Sequence, residues 1–233
     1  MRSLFRTLNI DTTRDIALVC LADSIVGVSF GAIAVAGGLP LWFPVSLSIL
    51  VFAGGAQFAT IGVLLAGGNP LAAAITGIIL NGRLLAYGFA IHDVFGTSRV
   101  ARLLGAHLIV DESVAFAMRQ ETLPKKKAAF WISGVLLFVV WNVAVLLGAV
   151  AAKSFGDASR LGLDATFPAL LLALIWPAMS DRRLLRKALS GGGLAIIGTQ
   201  ILVPGLGVML ALVALVPTAW RTFYKSSDSD GVV

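Results

Sequence analysis

The sequence is poor in the residues that soluble enzymes and metalloproteins depend on. Its 233 residues include one cysteine and two histidines. A lone Cys20 excludes an internal disulfide framework. His92 and His107 form neither an H-E-x-x-H pair nor a Cys/His cluster, so no metal site is expected. No G-x-x-x-x-G-K-[ST] loop occurs, which argues against ATP-driven pumping by this chain, and no cofactor is implied. Charge is scarce as well: Asp, Glu, Lys and Arg make up 13% of the chain, against about 25% in an ordinary soluble domain.

What fills the chain instead is apolar. Hydrophobic residues reach 58%, with a mean hydropathy of +0.93. A soluble fold of this size has too little interior to hide that much apolar surface, so the bilayer must serve as part of its solvent. Stretches at 16–37, 43–66, 70–91, 128–151, 164–180, 188–203 and 205–220 read as membrane-embedded. The last two are short and flank Pro204-Gly205, which predicts a tight helical hairpin. No small-residue cleavage site ends a short N-terminal apolar core, so the first stretch is expected to stay as a membrane helix. The fold class is all-α: a polytopic transmembrane bundle of seven or eight segments, some broken or short. Residues 1–225 form one integral membrane domain, and 226–233 a polar tail.

The net charge of +6 does not point to nucleic acid. Basic residues gather in short clusters between apolar stretches: Arg2, Arg6 and Arg14; Lys125 to Lys127; Arg182, Arg183, Arg186 and Lys187; Arg221 and Lys225. Cytoplasmic loops retain Lys and Arg in this way. The pattern predicts a multi-pass protein of the bacterial cytoplasmic membrane with the N-terminus, the 119–127 loop, the 182–187 loop and the C-terminus inside. Three helices before Lys125 would leave that cluster outside, so a further crossing is expected at 100–118, the eighth of the chain. That stretch carries Asp111 and Glu112, each costing about 2.5–3.5 kcal/mol at a membrane centre on insertion scales. It must be buried among neighbours or be a re-entrant piece facing water. The alternative is a cytoplasmic amphipathic helix with the N-terminus outside.

Polar groups inside apolar spans carry the functional signal. Asp23 interrupts the first span, followed by Gly27 and Gly31, whose spacing lets another helix approach closely. Gly54 and Gly55 weaken the second span, and Gln57 sets an amide beside that weak point. A helix broken there frees backbone groups to bind a zwitterion, while close packing is the plainer account. The third span holds Asn81, Arg83 and Tyr87, the last two on one helical face. Arg83 can grip a carboxylate, either a substrate's or an acid's elsewhere in the protein, or it can snorkel. Asp111 and Glu112 point about 100° apart on a helix, so one can pair with Arg83 while the other exchanges protons. As a plainer account, both cap or solvate a surface helix. Asp164 opens the fifth long span, where it suits a helix N-terminus. Trp141 and Asn142 interrupt the span before it, and Trp141 reads as packing.

The runs FGAIAVAGG (30–38), VFAGGAQFATIG (51–62), NGRLLAYG (81–88), DESVAF (111–116) and GLDATFPALLLAL (162–174) together resemble the AzlC family of branched-chain amino-acid permeases. The resemblance implies the large subunit of a two-component exporter of hydrophobic amino acids, partnered by a small AzlD-type membrane protein. It places the family's patterns on Gln57, Asn81, Arg83, Tyr87, Asp111, Glu112 and Asp164. On this reading Gln57, Asn81, Arg83 and Tyr87 bind substrate, and Asp111, Glu112 and Asp23 handle protons, giving proton antiport. Gly54, Gly55, Gly27, Gly31 and Asp164 are structural or gating.

Two other function classes compete. Gly27-Val-Ser29-Phe-Gly31 formally matches the G-x-S-x-G of hydrolases, and a Ser29–His107 dyad would make an intramembrane serine hydrolase. The match lies in an apolar helical pattern with no preceding strand, which disfavours it. The third class is a structural subunit that transports nothing; polar residues spread over several spans weigh against a pure anchor.

Overall fold

A computed structural model describes residues 7–155, 179 and 182–201. Among these, every regular element is helical: α1 (Ile10–Ala36), α2 (Trp42–Val51), α3 (Gly54–Leu65), α4 (Pro70–Ala90), a 3-10 turn (His92–Val94), α5 (Arg99–His107), α6 (Asp111–Met118), α7 (Leu123–Phe155) and α8 (Arg182–Ile201). Three of them, α1, α4 and α7, are long and apolar enough to cross a bilayer. Their outward residues are apolar at helical spacing. Leu18, Leu21, Ile25 and Val28 do this on α1, and Val139, Val143, Leu147 and Val150 on α7. Such stripes are costly in water and at home in lipid.

The described residues fall into two compact units, one within 7–61 and 77–155, the other within 62–76 together with 179 and 182–201. In the first unit α1 and α7 lie along each other in parallel. A Cβ on Gly27 would stand 3.0 Å from the Ala144 methyl, and one on Gly31 would overlap the Val145 carbonyl. Gly148 answers from α7, where a Cβ would overlap the Val28 carbonyl. The missing side chains let two backbones touch, as small residues do between membrane helices. Asn9 starts α1 by accepting the Thr12 N–H at 2.9 Å.

In the second unit Val63, Ala72 and Ala73 form an apolar cluster under the 66–69 turn. Gly67 ends α3 with a φ of +78°, and Gly68 leaves space that Val63 would deny to any Cβ. Asn69 then accepts the Leu71 N–H at 2.8 Å, with Pro70 in the first turn of α4.

Several expectations shift. The 43–66 stretch is not one continuous helix. It is two short helices separated at Phe52-Ala53, and Phe52 takes the left-handed conformation with φ +40°. The break thus precedes Gly54-Gly55, which open α3. The 100–118 stretch is not one continuous helix either. α5 and α6, of 9 and 8 residues, measure only about 13 and 12 Å at 1.5 Å per residue. Leu108, Ile109 and Val110 separate them, buried and apolar. The physical reason is that the two acids sit in the first turn of α6, where a helix N-terminus favours negative charge. Lys125 to Lys127 lie in the first turns of α7, and Arg182 to Lys187 in those of α8, so neither basic cluster is a loop. Good helix formers extend both helices past their apolar stretches. The 164–180 and 205–220 stretches, the Pro204-Gly205 turn, Asp164 and the tail lie outside the described residues, as do Arg2, Arg6, Arg221 and Lys225.

Candidate functional site

The two breaks gather the polar residues. At the first, Phe52 is held by its ring, which packs against Phe138 (centroids 5.0 Å apart) and His107 (6.1 Å). A non-glycine residue at positive φ is costly, and the aromatic cluster offsets it. Ser48 on α2 donates to Asn142 on α7 at 2.8 Å, and Asn142 in turn donates to the Phe138 carbonyl at 2.8 Å. The last turn of α2 is therefore fastened to α7. Beyond the break, the first intrahelical bond of α3 runs from the Gln57 N–H to the Ala53 carbonyl at 2.9 Å. The N–H groups of Gly54, Gly55 and Ala56 precede it, as the opening donors of a helix do.

At the second break Ser113 does the work of a cap. Its hydroxyl donates to the Leu108 carbonyl (2.8 Å) and accepts the Val110 N–H (3.1 Å). Ser113 is fully buried, so these bonds satisfy backbone groups that the interrupted helix leaves bare. The 108–110 link is in turn pressed on both sides. A Cβ on Gly134 would lie 3.1 Å from Leu108, and one on Gly88 would lie 3.5 Å from Ile109.

Arg83 joins the two breaks. Its Nη2 lies 2.8 Å from an Asp111 carboxylate oxygen, and a Cβ on Gly55 would stand 3.5 Å from the same nitrogen. Tyr87, one turn on, lies close enough to Asp111 for the two side chains to interact. The Arg83 and Asp111 side chains are 47% and 42% exposed in the isolated chain, so the pair is reachable rather than sealed. Glu112, the next residue on α6, lies within coulombic reach of Asp23 on α1 as well as of Asp111 and Arg83. Among the described residues no salt bridge engages Asp23 or Glu112. Of the three acids, Asp111 is tied to Arg83, while Asp23 and Glu112 lie within electrostatic reach of each other.

Gln57 is fully buried, and among the described residues its amide has no hydrogen-bond partner at either Oε1 or Nε2. The same holds for Asn81 Oδ1 and Trp141 Nε1. Buried polar groups left unpaired cost about 1–3 kcal/mol each, so a protein that keeps them needs a reason. Trp141 does pack, stacking on Phe30 and closing over Gly27 and Gly54. Its unpaired N–H is what the sequence reading missed. The signal was a Trp-Asn pair at the centre of an otherwise aliphatic helix.

Gly27 and Gly31 lie in the α1–α7 crossing and away from any turn. Ser29 sits within uninterrupted α1 and donates to the Ile25 carbonyl at 3.0 Å, whereas the His107 ring lies among Phe52 and Phe138. A hydrolase serine needs a sharp, exposed turn, and this helix provides none. Among the described residues no group of His, Cys, Asp and Glu could hold a metal ion.

Fold and site together define a helical membrane protein with a polar centre at paired helix breaks. The model of the AzlC protein family matches residues 19–155, and the chain belongs to that family. It is 23% identical over 213 residues to the "Branched-chain amino acid transport protein AzlC" of Bacillus subtilis, covering 88% of this chain and 82% of the relative. An "uncharacterized membrane protein" of Helicobacter pylori is 22% identical over 85% of this chain and 87% of its own length. Another of that description, from Haemophilus influenzae, is 24% identical over 74% of this chain and 71% of its own length. No solved structure matches the chain.

Proposed function

We propose that this chain is the transporting subunit of a secondary carrier that exports branched-chain or other hydrophobic amino acids across the bacterial cytoplasmic membrane. Family membership and the name of the Bacillus relative support a role in membrane transport. The observation that carries the rest is the Arg83–Asp111 pair, set between two helix breaks beside an unpaired Gln57. A substrate carboxylate competes with Asp111 for the Arg83 guanidinium, which can bind either in a two-pronged fork. The first turn of α3 and the Gln57 amide orient the zwitterion, as half-helix termini do in other transporters. Asp111, once displaced, and the Asp23–Glu112 pair are the groups that exchange a proton for the amino acid, making the carrier an antiporter. Tyr87 and Asn81 line the same path. A small AzlD-type membrane subunit is its partner, and the C-terminus is cytoplasmic.

The test uses inverted membrane vesicles from cells producing the full chain and that subunit. Valine, leucine, isoleucine or methionine should accumulate inside, faster with an imposed pH gradient. Glu112→Gln should abolish the response to the gradient. Absence of accumulation of all four, with or without the gradient, removes the proposal.

A further inference from the structure

The unpaired buried atoms define more than a polar spot. Gly54 and Phe58 lie one turn apart on α3 and face the same neighbours. A Cβ on Gly54 would lie 3.2 Å from the Trp141 ring, and Phe58 meets Phe30 edge-on at 5.2 Å. Phe30 itself stacks on Trp141 at 6.2 Å. Gln57 stands on the turn between them. Asn81 approaches that turn from α4. On α4, Gly77 lies against Thr60 and Arg83 lies against Gly55, and Asn81 falls between these two contacts.

The unpaired atoms divide evenly. Trp141 Nε1 and Gln57 Nε2 can only donate, while Gln57 Oε1 and Asn81 Oδ1 can only accept. Both ends of the Gln57 amide are unpaired, so this balance does not depend on which way the amide is turned. Two donors and two acceptors complement a small molecule that carries a carboxylate and an ammonium. The donors suit the first and the acceptors the second.

We propose that Trp141 is a substrate-contacting residue: with Gln57 its indole N–H holds the carboxylate of a zwitterionic amino acid. This deepens the transport reading and rests on it for the identity of the ligand. The carboxylate lies at the start of α3, between Trp141 over Gly54 and Arg83 beside Gly55. A Cβ on Gly54 would press on the Trp141 ring at 3.2 Å, whereas one on Gly55 would meet Arg83 at an ordinary contact distance of 3.5 Å. The ammonium reaches Gln57 Oε1 and Asn81 Oδ1.

The experiment measures equilibrium binding of leucine to the purified full chain in detergent by calorimetry, alongside vesicle transport. Trp141→Phe keeps an aromatic ring and removes the donor. Its leucine Kd should rise about tenfold, as expected for a lost hydrogen bond to a charged group. Leucinamide, which lacks the carboxylate, should bind the wild type weakly and Trp141→Phe no more weakly, so discrimination between the two ligands collapses. A purely structural tryptophan would weaken both ligands alike. Trp42→Phe, at an exposed position, should leave both unchanged. Should Trp141→Phe misfold on size exclusion, benzothienylalanine at 141 keeps the bicyclic shape with sulfur in place of the N–H. Unchanged leucine affinity and unchanged discrimination in a folded variant overturn the proposal, as does absence of leucine binding to the wild type. Trp141-dependent binding without vesicle transport would sustain it and remove the exporter reading instead.

Discussion

Gly31→Ala puts a methyl group where α1 and α7 leave no room for one. The new Cβ would overlap the Val145 carbonyl and stand 2.8 Å from the Ala149 nitrogen. Those are backbone atoms inside a helix, so no side chain can rotate away, and the two helices must separate. Parting them loosens the neighbouring contacts of Gly27 with Ala144 and of Gly148 with Val28. Overpacking of this kind costs about 1–3 kcal/mol, which for a chain of this length lowers the melting temperature by roughly 2–12 °C. The protein supplies its own reporter. Cys20, the single cysteine, is buried on α1, so a thiol-reactive fluorophore in a thermal ramp reads the release of that helix. Gly82→Ala is the contrasting change, because a Cβ there meets nothing within 4 Å. In a helix interior it should be neutral or gain up to about 1 kcal/mol. The reasoning fails if Gly31→Ala labels at or above the wild-type temperature, or if both alanines behave alike.

Asp111→Asn should reduce leucine export at least tenfold, an order-of-magnitude expectation for a lost charge pair. The exchanged pair Arg83→Asp with Asp111→Arg should regain thermal stability in the dye assay but no transport, because the cation would then project from α6. Recovery of export by the swap would show that the pair acts only as a strut. Ser113→Ala should lower stability by about 1–3 kcal/mol, since the buried Leu108 carbonyl and Val110 N–H lose their common partner. Chemical unfolding with a midpoint identical to the wild type would show that another group serves that turn.

The three long helices were legible because each is a sustained apolar run, and 70–91 was read within one residue of α4. The breaks were harder. Around Phe52 the chain is apolar and free of proline, so the glycines that follow drew attention instead. What turns the chain at Phe52 is a distant cluster, Phe138 and His107, which no local pattern reveals. Leu108-Ile109-Val110 is equally silent. Its interruption depends on Ser113, whose hydroxyl could as well have bonded back along an unbroken helix. Pairing of Arg83 with one of the two acids was foreseeable from the cost of a lone charge among apolar residues. Which acid it chose was not, since adjacent helical positions differ only in direction.

α7 has one further consequence for its surroundings. From Lys127 to Lys153 the helix is without charge and measures about 39 Å at 1.5 Å per residue, longer than the ~30 Å hydrocarbon layer. With an ammonium drawn to the headgroups at either end, the mismatch is relieved by tilting or by local thickening of the lipid. α1 is locked alongside it by the glycine contacts, so the pair must lean as one body. The thickness of the host membrane thereby becomes a mechanical input to the position of Asp23.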